Sequence, residues 1–144
     1  MKELILGGAR SGKSDFAAIR AESGGMPVIC VVTAQPKDRE MAARIRRHRE
    51  KRPAHWRVVE EPVSLATTLK TLATPGQCLL VDCLTLWLSN LLHTDQDNAV
   101  AGTGDSTYAR EREALVSVLP ALAGHVIFVS NEVGMGIVPM GELS

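Results

Sequence analysis

Aromatic residues are scarce in this chain: two Trp, two Phe and one Tyr make up 3% of its 144 residues. A surface that stacks exposed bases needs more rings than that. Charge of neither sign predominates, since sixteen Lys and Arg balance sixteen Asp and Glu, which argues against a surface that grips a polyanion everywhere. No nucleic-acid partner is therefore expected. The three cysteines, Cys30, Cys78 and Cys83, are odd in number, lack C-x-x-C spacing and sit in apolar runs. That excludes a disulfide framework and a zinc site, and marks them as reduced core residues. No apolar run is long enough for a membrane span, because the longest, 78–92, is broken by Asp82 and Asn90. The run after Met1-Lys2-Glu3 ends at Gly7, too short for the apolar part of a signal peptide. A cytoplasmic location is expected. Internal repeats, a His and Cys metal cluster and the guanine-reading N-K-x-D motif are likewise missing from the sequence.

What is there suits one globular domain spanning 1–144: hydrophobic residues reach 45% and charged residues 22%, enough for a real core. Short β-rich apolar runs at Leu4–Leu6, Val28–Thr33, Trp56–Val59, Leu79–Asp82 and Val126–Ser130 read as strands. Helical spacing or composition marks Gly12–Glu22, Asp38–Lys51, Val63–Ala73, Leu84–Leu92 and Thr107–Ala123, with Asp38 as an N-cap and Gly124 as a stop. The polar, aperiodic stretch from His93 to Ser106 reads as a surface loop. Alternation of strand and helix predicts an α/β fold with a mainly parallel sheet and helices on both faces.

The segment Gly7-Gly8-Ala9-Arg10-Ser11-Gly12-Lys13-Ser14 matches G-x-x-x-x-G-K-[ST] between the first strand and the first helix, the context a phosphate-binding P-loop requires. Glycines let backbone N–H groups curl toward phosphate oxygens, the helix N-terminus adds partial positive charge, Lys13 bridges β- and γ-phosphates, and Ser14 can ligate Mg²⁺. The strand Leu79-Leu80-Val81-Asp82 ends in a carboxylate, the pattern of an element that orders Mg²⁺ or its water shell. Its alternative reading is a cap for the helix that follows. Ser11, Thr33, Asp82 and Asn131 all fall at or beyond the carboxyl ends of predicted strands, where parallel sheets gather ligands.

Half of the sixteen basic residues lie in one helix-length segment, as Lys37, Arg39, Arg44, Arg46, Arg47, Arg49, Lys51 and Arg52. Arg44, His48 and Arg52 recur every fourth residue and share one helix edge. Cations beside an imidazole disfavour its protonation, so His48 would stay neutral and nucleophilic where a polyphosphate is attracted. The plainer reading is a solvated basic helix in which His48 continues the apolar stripe of Met41 and Ile45. Asn131-Glu132-Val133-Gly134-Met135-Gly136-Ile137-Val138-Pro139 follows the last strand with the composition of a substrate loop. His55, His93 and His125 read as structural or solvated.

Together the P-loop, Glu40-Met41-Ala42-Ala43-Arg44-Ile45, the run from His48 to Trp56 and the Asn131 to Pro139 string closely resemble one family, over essentially the whole chain. It is the bifunctional adenosylcobinamide kinase and adenosylcobinamide-phosphate guanylyltransferase family of cobalamin biosynthesis. The resemblance implies a RecA-like P-loop NTPase domain that phosphorylates adenosylcobinamide with ATP or GTP. It also implies transfer of GMP from GTP onto adenosylcobinamide phosphate through a guanylyl-histidine, giving adenosylcobinamide-GDP and pyrophosphate. By position the histidine is His48. Carried over residue by residue, the nucleotide contacts are Gly7, Gly8, Ala9, Arg10, Ser11, Gly12, Lys13, Ser14, Thr33, Ala34, Gln35, Arg49, Glu50, Lys51, Arg52, Glu60 and Asp82, with Mg²⁺ on Ser14 and Asp82. The resemblance implies a homo-oligomer, a trimer.

Family members usually continue for about one more helix and strand past Pro139, so a P-loop domain lacking that C-terminal piece is expected. Two other functions remain open on the residues alone: a P-loop domain that binds nucleotide without group transfer, and a small-molecule kinase with another acceptor.

Overall fold

A computed structural model of the chain describes residues 1–8, 11–97 and 106–131. Strands β1 (Lys2–Gly7), β2 (Val28–Val32), β3 (Arg57–Glu60), β4 (Cys78–Asp82) and β5 (His125–Asn131) alternate with helices α1 (Lys13–Ser23), α2 (Arg39–Lys51), α3 (Leu65–Leu72), α4 (Leu84–Asp97) and α5 (Thr107–Val118). Among the described residues no strand separates α4 from α5. The strands form one sheet in the order β1-β5-β4-β2-β3, and every neighbouring pair is parallel. The expected α/β architecture is the one observed, and the sheet is parallel throughout.

The chain runs outward from β1 to β2 and β3, then turns back to β4 and β5. Parallel crossovers are right-handed, so this reversal sends the two sets of helices to opposite faces of the sheet. On one face Ile29, Val31, Leu79, Val81, Val126 and Phe128 pack against Leu65 and Leu69 of α3, Trp87 and Leu91 of α4 and Leu115 of α5. On the other, Ile5, Val28, Cys30, Val32, Leu80, Ile127 and Val129 meet Ala17 and Ala21 of α1 and the ring of Trp56. All five residues of β2 are buried, as a strand covered on both sides demands. Leu65, Leu69, Leu79 and Leu91 are fully buried, and each contributes about 2 kcal/mol of transfer free energy.

The sequence reading departs from the structure at helix ends. Residues after Leu92 were expected to form a loop, but α4 continues to Asp97. Its last turn is polar because it serves the next helix: Asp95 accepts from the backbone N–H of Thr107 at 2.6 Å and of Tyr108 at 3.1 Å. The helix expected to reach Ala123 stops at Val118, and Pro120 carries the chain through a single 3-10 turn, Leu119–Ala121. Trp56 precedes β3 rather than opening it. Asp38 is the N-cap of α2 as expected, with Oδ1 accepting from Met41 N at 2.7 Å. No described helix is long and apolar enough to cross a membrane.

Candidate functional site

The carboxyl ends of the strands open onto a cleft that the P-loop enters from β1 and α2 closes from the other side. Gly12, the residue before α1, has φ 82°, a left-handed conformation that glycine adopts without strain. It turns the chain from the loop into α1, whose first N–H groups have no partner within the helix. Ser11 N donates to Gly8 O at 3.2 Å, and Lys13 Nζ donates to the same carbonyl at 3.2 Å, which holds the ammonium over the loop. Lys13 and Ser14 line the cleft. Gly7, Gly8, Ser11 and Gly12 lead into these two residues but are not among those that line the cleft, and Ala9 and Arg10 lie outside the described residues.

Asp82 ends β4 in the same cleft, with β5 between it and the P-loop strand. Its Oδ2 lies 3.9 Å from Arg52 Nη2, and both side chains are largely shielded, 23% and 15% exposed. Helix α2 buries none of its residues in the core. Met41, Arg44, Ile45, His48 and Arg49 instead turn toward the cleft, and Arg52 just past the helix joins them. These positions follow the three- and four-residue spacing of a single helix face. The Met41 and Ile45 stripe is therefore a cleft wall, facing Val32, Val58 and Leu86. Among the described residues no group of three or more His, Cys, Asp or Glu converges as a metal centre. Ser14 and Asp82, a hydroxyl and a carboxylate on one cleft, fit a hard cation that takes its remaining ligands from phosphates and water.

His48 is held below the usual imidazole value, chiefly by burial, with Arg52, Arg44 and Lys51 pushing the same way and Asp82 opposing them. The sequence reading gave the cations the leading part; burial of the ring in the cleft has the larger effect. A neutral imidazole bearing a lone pair thus stands among guanidinium groups that attract phosphate. Behind this wall Cys30 is buried and its thiol is pushed up to about 11. All three cysteines are free and buried.

Of the residues singled out from the sequence, Lys13, Ser14, Ala34, His48, Arg49, Arg52, Glu60 and Asp82 come together on the cleft. Thr33 does not: it is fully buried, and its hydroxyl donates to Cys83 O at 2.7 Å and accepts from Cys83 N at 3.0 Å. With both functions used, it supports the floor rather than forming it. Gln35 precedes α2 away from the cleft-lining set. Glu50 and Lys51 are exposed; Glu50 lies about 200° around the helix from His48, and Lys51 acts on His48 by charge alone. Asn131, which donates its backbone N–H to Thr85 Oγ1 at 2.9 Å, lines the cleft, while 132–139 of its motif lie outside the described residues. The apolar wall of Val32, Met41, Ile45, Val58, Cys83 and Leu86 was not assigned from sequence. Its signal was an α2 stripe in which Met and Ile alternate with Arg and His, a mixture that suits a cleft better than a core.

The same segments carry likeness to known proteins. A sequence model of the family described as cobinamide kinase / cobinamide phosphate guanyltransferase matches residues 3–144. The chain is 54% identical over 144 residues to the bifunctional adenosylcobalamin biosynthesis protein CobP of Pseudomonas aeruginosa, covering 100% of this chain and 79% of that protein. It is 37% identical over 150 residues to the bifunctional adenosylcobalamin biosynthesis protein CobU of Escherichia coli, and equally so to that of Salmonella typhimurium, with 82% of each covered. The chain belongs to the cobinamide kinase / cobinamide phosphate guanyltransferase family.

Proposed function

We propose that this cleft carries out both reactions of its family: phosphorylation of adenosylcobinamide by ATP or GTP, then transfer of GMP from GTP to adenosylcobinamide phosphate. The observation that supports this most is the meeting of P-loop residues Lys13 and Ser14 with His48, Arg49, Arg52 and Asp82 on one cleft. In the kinase step Lys13 and the α1 N-terminus hold the β- and γ-phosphates while the acceptor hydroxyl takes the γ-phosphoryl group. In the guanylyl step a neutral imidazole nitrogen of His48 attacks the α-phosphorus of GTP. An N–P bond forms, the bond to the β-phosphate oxygen breaks, and pyrophosphate leaves toward Lys13 and Arg52. The phosphate of adenosylcobinamide phosphate then attacks the same phosphorus, restoring His48 and giving adenosylcobinamide-GDP. Dividing the transfer in two replaces one displacement between anions by two at a site lined with cations. Mg²⁺, held by Ser14 and Asp82 with the phosphates, would neutralise developing charge on the phosphate oxygens.

The enzyme is placed in the cytoplasm, where its nucleotides are. Assembly into a homotrimer is the family expectation; exposed Leu4 and Leu6 on edge strand β1, 56% and 51% accessible, favour self-association. The test is the position of the label: GTP labelled at the α-phosphate should leave acid-labile, base-stable label on the protein, and GTP labelled at the γ-phosphate should leave none. Retained γ-label would point to a phosphorylated enzyme and against this mechanism. Nucleotide binding without any label or cobinamide turnover would favour the simple nucleotide-binding alternative.

A further inference from the structure

Asn90 of α4 is an amide only 9% exposed, on the same helix as the buried core residues Trp87 and Leu91. Its Nδ2 donates to Thr33 O at 2.8 Å and to Pro62 O at 3.0 Å, so one NH₂ group joins the segments leaving β2 and β3. Thr33 continues the tie to β4: its N–H donates to Asp82 O at 3.1 Å, and its hydroxyl exchanges two hydrogen bonds with the backbone of Cys83. Each joined segment delivers a cleft residue, Ala34 after β2, Glu60 at the end of β3, and Asp82 with Cys83 at β4. A leucine would fill the position of Asn90 without the cost of burying an amide. The amide is used where three strand ends must keep fixed spacing beneath a polyphosphate.

We infer that Asn90 is a positioning residue for guanylyl transfer, setting through Thr33 the relative placement of the β2, β3 and β4 ends. It touches no reacting atom. The inference rests on the function proposed above and goes beyond it, since it assigns the geometry of the cleft floor to a residue on the far side of the sheet end. Removing the tie leaves GTP binding nearly intact, because the P-loop and α2 supply the phosphate contacts. The transfer rate falls, because small displacements at a reacting centre are costly.

The experiment compares Asn90→Ala, Thr33→Val and Leu115→Ala. Leu115 is a core residue, 7% exposed, that is no part of the tie and gives a destabilised control. At saturating GTP, the single-turnover rate of GMP transfer to the protein should fall on the order of ten- to hundred-fold in Asn90→Ala, with Kd for GTP changed less than about threefold. Thr33→Val removes only the hydroxyl at nearly constant shape and should lose rate alike, which carries the test if Asn90→Ala does not fold. Leu115→Ala should keep the wild-type rate despite a lower melting temperature. Wild-type rates in the folded Asn90 and Thr33 variants, or an equal rate loss in Leu115→Ala, would overturn the inference. Should wild-type protein take up no GMP at all, the functional proposal fails and takes the catalytic part of the inference with it, and amide exchange decides the tie between the strand ends by itself. Faster exchange confined to 33–35, 61–63 and 82–83 in Asn90→Ala supports the tie, and a uniform change refutes it.

Discussion

Replacing Trp56 by Phe would take one N–H and part of a ring from the junction between α2 and β3. Trp56 is 7% exposed, and its Nε1 donates to Glu22 Oε1 at 2.7 Å, the carboxylate that also meets His55 Nε2 at 3.0 Å. Because α2 buries no residue, its hold on the body depends on the segments that flank it, and Trp56 is the buried anchor of the later one. A hydrogen bond to a charged acceptor contributes about 1.5–3 kcal/mol, and Glu22, 40% exposed, belongs at the lower end. The smaller ring leaves about 40 Å³ unfilled, adding about 1 kcal/mol at ~24 cal/mol per Å³. The total is about 2.5 kcal/mol. For 144 residues the unfolding entropy is about 0.3 kcal/mol/K, so the melting temperature should fall by about 8 °C. Glu22→Gln keeps an acceptor for the indole and should cost less than half as much. A thermal melt of both variants checks this. A fall under 2 °C for Trp56→Phe, or an equal fall for Glu22→Gln, would mean that the indole and its hydrogen bond do not anchor this junction.

The pH profile of GMP transfer should show a single acid limb centred below 6.5, because burial and neighbouring cations depress His48; a limb centred above 6.5 contradicts that environment. The same depression means the unfolded chain binds the proton more readily, so the stability tied to neutral His48 is complete above pH 6.5 and is lost as pH falls through the folded value. Arg52→Met should weaken GTP binding by roughly tenfold, the loss of one charge-assisted contact, as read by calorimetry. Cys30 and Cys78, each pushed up to about 11 by burial, should resist alkylation at pH 8 in the native protein and react in denaturant, as read by mass spectrometry. Chelation of divalent cations should abolish both transfers while leaving the melting temperature of nucleotide-free protein unchanged.

The strands were legible because interior strands of a parallel sheet must be apolar on both faces, and Val28–Val32 and Cys78–Asp82 are nearly unbroken runs. The P-loop was legible because its chemistry demands glycines and a lysine at fixed spacing. What escaped the sequence was the direction each helix faces. A stripe such as Met41 and Ile45 satisfies a core and a cleft equally, and only the placement of α2 beyond the sheet end separates the two. Polar residues misled in the same way: Thr33 ends a strand as a ligand contact would, yet its hydroxyl is consumed by Cys83. The last turn of α4 read as a loop because its carboxylate caps a helix twelve residues further on. Asn90 looked like an interruption of an apolar run until its two carbonyl partners, 57 and 28 residues away, were in view.

The proposed reaction turns on His48 attacking GTP and carrying GMP. Intact-protein mass spectrometry after incubation with GTP and Mg²⁺ tests it directly, comparing wild type with His48→Ala. Wild type should gain one GMP and the variant none. Equal labelling of a folded, GTP-binding His48→Ala protein would contradict it.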